Sequence, residues 1–436
     1  MNNHSQDKQN PIQWFRHSAP YINTHRGKTF VIMFGGDAVA HANFEHLIHD
    51  FALLHSLGIH LVLVHGARPQ IENSLNLAGL SSNITGHLRI TPPNAMPHIL
   101  SAVGAIRLHI EAQLSMGLAN SPMFGARIDA VSGNFITARP YGVREGIDHQ
   151  MTGEVRSVDS TAIHHNLQHN HIVILSPIGF SVTGEIFNLS AEEVAMHAAI
   201  ALRADKLIFL GEDAVRLNGK IIRELTTKQA QMLLDSNNLP DEMARFLQCA
   251  INVSDAVERT QILPFDKDGA LIEELFTHDG LGTMITHTPY DNIRPATLSD
   301  VVGLLALLKP LEEAGILIKR PQERLESDIE CYTIIERDGM VIGCAALYPL
   351  NEVSAEIASI AIHPNYRGGS RGNDLLKFVE TQAKSAGFSQ LFALTTHTSH
   401  WFIEHGFVET DVKNLPAERQ VRYHNGRNSK IFIKNI

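Results

Sequence analysis

The chain has 436 residues, 44% of them hydrophobic and 19% charged, with a formal net charge of −10. That length asks for two or three domains, and the composition is that of a folded protein without extended disorder. The acidic balance argues against nucleic acid as the main partner, and no uninterrupted apolar run is long enough to cross a bilayer. The first ten residues are polar and give no sign of a secretory signal. Cys249, Cys331 and Cys344 are odd in number and lack metal-ligand spacing, so they read as reduced thiols of a cytoplasmic protein. Among 25 histidines, the cluster His164, His165, His169 and His171 could share a helix face but has no carboxylate or thiol spaced to complete a site, so no metal is expected.

The first half alternates apolar strands with helical stretches. Phe30–Phe34 reads as a strand ending at Gly35-Gly36, residues 43 to 57 as a helix closed by Gly58, and Leu61–Gly66 as a buried strand entering a glycine turn. Further strands are expected at Ile172–Leu175 and Lys206–Leu210, with a helix from about Ala191 to Arg203 between them. Continuous apolar strands alternating with helices predict an α/β fold, a parallel-rich sheet covered on both faces. The pattern changes near Thr286–Asp291, where a domain boundary is expected. Beyond it come a short strand at 293–296, a helix capped by Ser299 or Asp300 through Leu308, and a second helix around Leu311 to Leu317. A hairpin then joins Ile329–Arg337 to Met340–Tyr348 through Asp338-Gly339. A strand at 355–362, a glycine-rich turn, a helix from Asp374 to Ser385, a strand at Leu391–Thr395 and a helix around Ser399–His405 complete the series. No internal repeat or low-complexity segment is visible.

The stretch from Glu356 through His363-Pro364-Asn365-Tyr366-Arg367 to Gly368-Gly369-Ser370-Arg371-Gly372 carries most information. A buried strand, a glycine-rich turn and a helix start aim backbone N–H groups at one point, which suits a pyrophosphate. Its glycine spacing is wrong for a dinucleotide fingerprint or a Walker loop. It resembles the acetyl-CoA loop of GNAT-type acetyltransferases, Arg/Gln-x-x-Gly-x-Gly/Ala after the fourth strand. Arg367 and Gly372 fit, Ser370 holds the first glycine position, and Gly368 and Gly369 supply backbone freedom there. The surrounding order of strands and helices matches that fold. The resemblance implies acetyl-CoA as co-substrate, contacted by Ile360, Ile362, Arg367, Gly368, Gly369, Ser370, Arg371 and Gly372.

Residues 26 to 286 resemble the amino-acid kinase family, most of all acetylglutamate kinase, a three-layer αβα sandwich. The family's Lys-x-Gly-Gly reads Met33-Phe34-Gly35-Gly36 here, and a thioether cannot neutralise a transferring phosphoryl group. Its His-Gly-Gly-Gly-like turn reads His65-Gly66-Ala67-Arg68. Its catalytic aspartate falls near Asn188–Glu192, with Glu192 the nearest carboxylate, and Lys220 is a candidate match for its other basic residue; ordinary solvent-exposed charge is the plainer reading of both. The fold is expected to persist with its phosphoryl-transfer parts degraded. Leu271 to Thr283 resembles the arginine-binding signature of arginine-sensitive acetylglutamate kinases. Glu274 would accept a guanidinium fork, and Gly280 and Gly282 would admit the effector's charged ends. A helix end with a glycine cap is the plainer reading of the same residues.

A kinase-like domain (26–288) without its lysine, behind an N-terminal segment (1–25) and joined to a GNAT-type domain (292–436), resembles the long, two-domain bacterial N-acetylglutamate synthases. That family acetylates the α-amine of L-glutamate from acetyl-CoA, the first step of arginine biosynthesis, under feedback by L-arginine, and forms rings through its kinase-like domains. The resemblance implies a homo-hexamer and glutamate contacts at Arg320, Arg419, Arg427 and Ser429. A substrate with two carboxylates needs such charge-assisted donors. Glu356 is the carboxylate on the strand at 355–362 placed to take the amine's proton, directly or through water; a salt-bridged strand residue is the alternative reading. Thr395 aligns with a hydroxyl proposed to protonate the leaving thiolate, with Tyr423 or water as alternatives. Competing expectations are a working kinase, a non-catalytic arginine or acetyl-CoA sensor, and acetylation of ornithine, lysine or a protein amine; cationic substrates would want acidic pockets.

Overall fold

The computed structural model describes residues 11–436 apart from 118, 120, 237, 278–279, 289–290, 338, 368–369, 422 and 424–428. The chain divides into two compact units after Thr288.

The first unit is built on an eight-stranded sheet in the order Glu224–Thr226, Thr283–Thr286, Arg259–Pro264, Lys206–Gly211, Thr29–Phe34, His60–His65, His171–Leu175 and Asp129–Ser132. All neighbours run parallel except Thr283–Thr286 against Arg259–Pro264. The central strand explains the layering. Phe30, Ile32 and Phe34 point to one face, into a core with Phe51, Ile99 and Leu271. Val31 and Met33 point to the other, into a core with Ala195, Ala199 and Leu247. A strand with no polar face must be covered on both sides, and helices do so, giving the three-layer sandwich expected from the apolar runs. Each such fully buried side chain contributes about 1.5–3 kcal/mol. A second sheet carries Ile186–Asn188, Ile178–Phe180, Ile136–Pro140 and Gly153–Val158.

The N-terminal helix Pro11–His25 is tied to the end of the helix Ala270–Phe276. Ser18 Oγ donates to the Phe276 carbonyl at 3.2 Å and His25 Nε2 to the Leu275 carbonyl at 2.9 Å. These are carbonyls of the last helical turn, which the helix cannot satisfy by itself.

The second unit has a seven-stranded sheet ordered Asn292–Pro295, Tyr332–Arg337, Met340–Pro349, Ser354–Ile362, Gln390–Thr395, Lys430–Asn435 and Val408–Thr410. Among the described residues its only parallel pair is Ser354–Ile362 with Gln390–Thr395. The helix expected to stop at Leu308 instead runs Val301–Glu313, through Pro310, and ends before Gly315 at φ +71°. The apolar stripe of Leu304, Leu308 and Leu311 continues across the proline. Burying it outweighs the one hydrogen bond that Pro310 cannot donate. The next helix is Gln322–Ser327, not 311–317.

One buried group ties this fold to pH. His65, fully buried at the end of its strand, lies 2.8 Å from Ser176 Oγ, and burial aided by the Arg107 charge pushes its pKa down from 6.5 to about 4. The unfolded chain therefore takes up a proton first as pH falls, so stability is lost progressively from pH 6.5 to about 4. Urea titrations at pH 7 and pH 4 should find the wild type losing about 3 kcal/mol more than His65→Asn over that interval. Equal losses would assign the acid sensitivity elsewhere.

Candidate active site

In the second unit, Ser354–Ile362 pairs with Gln390–Thr395 only from Ser354↔Gln390 to Ile357↔Ala393. Beyond Ile357 the two parallel strands part. On its other side the same strand is bulged, the register slipping between Cys344 and Ala346, and Ser359 sits there with φ +52°. A non-glycine residue in the left-handed region is sparsely populated backbone, of the kind that clusters at working sites. The wedge so opened leaves residues 358–362 without a partner strand on that side. Such a splay leaves backbone N–H groups able to donate to a developing oxyanion.

A cavity of about 140 Å³ adjoins the wedge, lined by Ile316–Ile318, Arg320, Glu356, Ala358, Ser359, Leu394, Thr396, Arg419, Tyr423 and Ser429. Five residues named from the sequence, Glu356, Arg320, Arg419, Tyr423 and Ser429, thus converge. Of the two readings of Glu356, free base or ion-paired strand residue, the ion pair is what is observed, and its partner is Arg419. Glu356 is 8% exposed and its carboxylate is gripped by Arg419 through both guanidinium arms, Nε on Oε2 and Nη2 on Oε1 at 3.1 Å. Arg320 has no such partner. Its guanidinium donates to the hydroxyls of Tyr332 and Ser359 and lies 5.4 Å from the ring of Tyr348, and among the described residues it touches no carboxylate. Tyr348 is held well above the usual phenol range by burial and its bond with Tyr332, so it stays neutral. The charge of Asp328 acts on Arg320 and Glu312 Oε1 accepts from its backbone N–H at 3.0 Å, but the guanidinium itself rests on hydroxyls, an arrangement that can receive an anion. Tyr332, Tyr348 and Ser359 escaped the sequence reading, because only the bulge turns Ser359 toward Arg320. Tyr423 donates to the Ser429 carbonyl at 2.7 Å.

The loop expected to hold acetyl-CoA enters the helix Arg371–Ser385. Gly368, Gly369 and Arg427 lie outside the described residues. Ile360 and Ile362 flank the wedge, packed against the core. Arg367 is exposed and its Nε donates to the Ile362 carbonyl at 3.2 Å. Ser370 Oγ binds Asp374 at 2.5 Å, and Arg371 Nε binds Asp291 at 2.6 Å, beside Arg337. A Cβ on Gly372 would lie 3.6 Å from the Trp401 ring. A 15-residue helix with its first turn behind a bulged, splayed strand fits an extended thioester with a pyrophosphate at one end. Thr395 lies where the strands have parted. Its Oγ1 accepts from the backbone N–H groups of His397 at 3.2 Å and Thr398 at 3.0 Å, so it also builds the turn before the helix Ser399–Glu404.

In the first unit, the carboxyl ends of the parallel strands surround a cavity of about 550 Å³ lined by Met33, Gly35, Gly36, Gly66, Arg68, Asn188, Glu192 and Arg245, among others. The two glycine turns meet here: a Cβ on Gly66 would lie 3.1 Å from Gly35 Cα. Glu192 is buried, with Arg245 Nε at 2.8 Å, Arg68 Nη2 at 3.2 Å and Ser190 Oγ at 2.6 Å. Burial works to raise its pKa, but the two guanidiniums outweigh that and hold it below the usual range. Lys220 is exposed on a two-residue strand and does not line this cavity. Glu274, elsewhere in this unit, accepts from the N–H groups of Leu281 at 2.7 Å and Gly282 at 2.9 Å on Oε2, and from Gln261 Nε2 at 2.9 Å on Oε1. Gly280 has φ +57°, and a Cβ there would stand 2.5 Å from Glu274 Oε2.

A phosphoryl-transfer fold without a lysine at Met33, joined to a bulged and splayed sheet of acyltransferase type, defines a two-domain acetyltransferase. Residues 28–263 match the model of the amino acid kinase family and residues 303–407 that of the acetyltransferase (GNAT) family. Over 429 residues the chain is 48% identical to the amino-acid acetyltransferases of Pseudomonas fluorescens (strain Pf0-1) and Azotobacter vinelandii, covering 98% of this chain and 99% of each relative. The chain therefore belongs to the amino-acid acetyltransferase family. Among solved structures, N-acetylglutamate synthase from Neisseria gonorrhoeae complexed with coenzyme A and L-arginine superposes with a TM-score of 0.89 at 34% identity, covering 98% of this chain and 100% of that one. The same protein complexed with coenzyme A and N-acetyl-glutamate gives 0.64 at 35%, covering 98% and 99%.

The turn at Thr395 gives a direct test of its double duty. Thr395→Ala leaves the amides of His397 and Thr398 without their acceptor and should cost about 1 kcal/mol in urea denaturation, whereas Thr395→Ser should cost far less. An unchanged midpoint for Thr395→Ala would remove the structural role.

Proposed function

We propose that this protein transfers the acetyl group of acetyl-CoA to the α-amine of L-glutamate, giving N-acetyl-L-glutamate and CoA. The observation that carries the substrate class is the pair of guanidiniums, Arg320 and Arg419, facing one small cavity beside the strand wedge. Two carboxylates on a short carbon chain match two guanidiniums, and a cationic amino acid would meet repulsion there. The gonococcal N-acetylglutamate synthase complexed with coenzyme A and N-acetyl-glutamate supports the same reading. In this mechanism Glu356 takes a proton from the bound ammonium, directly or through water. The freed amine attacks the thioester carbonyl carbon, and charge gathers on its oxygen against backbone N–H groups of the wedge. The C–S bond then breaks and the CoA thiolate takes a proton, from Thr395, Tyr423 or water. Residues 367–372 hold the pyrophosphate end of acetyl-CoA, and Arg427 and Ser429 complete the glutamate contacts. The domain of residues 292–436 carries catalysis. The free thiols agree with a cytoplasmic enzyme, and the family's ring assembly through residues 26–288 is the expected oligomer.

The kinase-like domain is read as regulatory, with L-arginine as effector. Glu274 already accepts two backbone amides on one oxygen, but among the described residues its Oε1 accepts only from Gln261, which leaves a lone pair for a guanidinium. Arginine bound there stabilises a less active state, with a coupling of roughly 1–3 kcal/mol.

Thiol release from acetyl-CoA, measured against a panel of amino acids, tests the substrate. L-Glutamate should lead, and Arg320→Gln should raise its KM at least about tenfold with little change in that for acetyl-CoA. Preference for a cationic amino acid would overturn the reading. Arginine titration tests the regulatory domain: Glu274→Gln should weaken inhibition about tenfold or more while leaving the glutamate KM unchanged. Wild-type inhibition in that variant would move the effector site elsewhere.

A further inference from the structure

The two guanidiniums of the catalytic cavity are in different states, and the difference bears on how the site selects its substrate. Arg320 rests on hydroxyls and is open to an anion. Arg419, carried on the five-residue helix Ala417–Val421, is already satisfied, two-pronged, by the carboxylate read above as the base. Side-chain exposures of 19% for Arg419 and 10% for Glu356 make this a largely desolvated pair. A bidentate charge-assisted contact out of water is strong and fixes geometry. While it lasts, both carboxylate oxygens of Glu356 are engaged by N–H donors.

Resting on the reading of Glu356 as base and of an acidic amino acid as substrate, we infer that Glu356 and Arg419 form a latch that the substrate's second carboxylate opens. One substrate carboxylate docks on Arg320, which has no acid to displace. The other competes with Glu356 for Arg419 and replaces it as the counter-ion. Glu356 then regains a free oxygen and accepts one proton from the substrate ammonium, leaving a neutral amine and a neutral carboxylic acid, with charge conserved. The exchange keeps one carboxylate on Arg419 throughout, so no buried guanidinium is left bare at any stage. Selection then operates in the chemical step as well as in binding. An amino acid with a single carboxylate can occupy Arg320, yet it leaves the base fastened.

The latch makes the base an inhibitor of its own substrate's binding, an effect a simple general base would not have. Calorimetric titration of the full-length protein, saturated with CoA, with glutarate, a five-carbon dicarboxylate lacking the amine, reads it without turnover. Glu356→Gln, which removes the competing charge but keeps the side chain's size, should bind glutarate about tenfold more tightly than wild type. Equal or weaker binding by a variant with wild-type melting temperature would overturn the latch. A second measurement uses the wild type alone. For L-norvaline against L-glutamate, the latch places a loss of about tenfold or more in kcat, whereas plain recognition raises only KM. A norvaline kcat within twofold of that for glutamate would also overturn it. Failure of the wild type to acetylate glutamate at all would instead reject the functional reading, so the two failures are distinguishable.

Discussion

Two parallel strands that pair for four residues and then part are the constraint on which the catalytic unit depends. Were Ser354–Ile362 and Gln390–Thr395 zipped to their ends, no backbone N–H would be free for a thioester oxygen and no gap would admit an extended chain. The parting is enforced from the opposite edge. The slip between Cys344 and Ala346 inserts an extra residue, bends the strand and turns Ser359 into the left-handed region. The same distortion brings the Ser359 hydroxyl against Arg320, so one irregularity both opens the wedge and positions a cation at the cavity wall. Glu356 sits just before the fork, still paired opposite Phe392, which fixes its backbone while its side chain reaches the cavity.

Both units bury a glutamate against arginine, and the two arrangements behave differently. Glu192 has two guanidiniums and a hydroxyl around it and lies at the first turn of the helix Ala191–Leu202, where the dipole also favours an anion. It is over-satisfied, and no proton or ligand carboxylate competes easily for its place. Glu356 has one guanidinium, on a short helix, at the wall of a cavity. The first arrangement closes a site and the second keeps one responsive. The number of cations per carboxylate, more than burial itself, separates them.

Much of this was legible in the chain. The unbroken apolar run Phe30–Phe34 required cover on two faces, and the structure divides its residues between two cores. The arginines at 320 and 419, singled out through a family resemblance, line one cavity with Glu356. Other features had no local signature. Nothing in the sequence Ala358-Ser359-Ile360 announces a positive φ, since serine is a poor marker for it and the bulge arises from pairing with a strand a dozen residues earlier. The Arg419–Glu356 contact spans 63 residues and depends on a short helix whose position is set by packing. Pro310 misled in the opposite direction, a strong local stop overridden by a longer-range apolar stripe.

The thioether at Met33 has a consequence of its own. The side chain is buried in the core with Ala195, Ala199 and Leu247, and its end of the strand opens on the cavity lined by Arg68, Glu192 and Arg245. An ammonium group buried there would need a carboxylate of its own, and Glu192 is already held by two guanidiniums. Methionine asks for no counter-ion: its flexible thioether fills the space between sheet and helix, so the strand end stays packed whether or not an anion occupies the cavity.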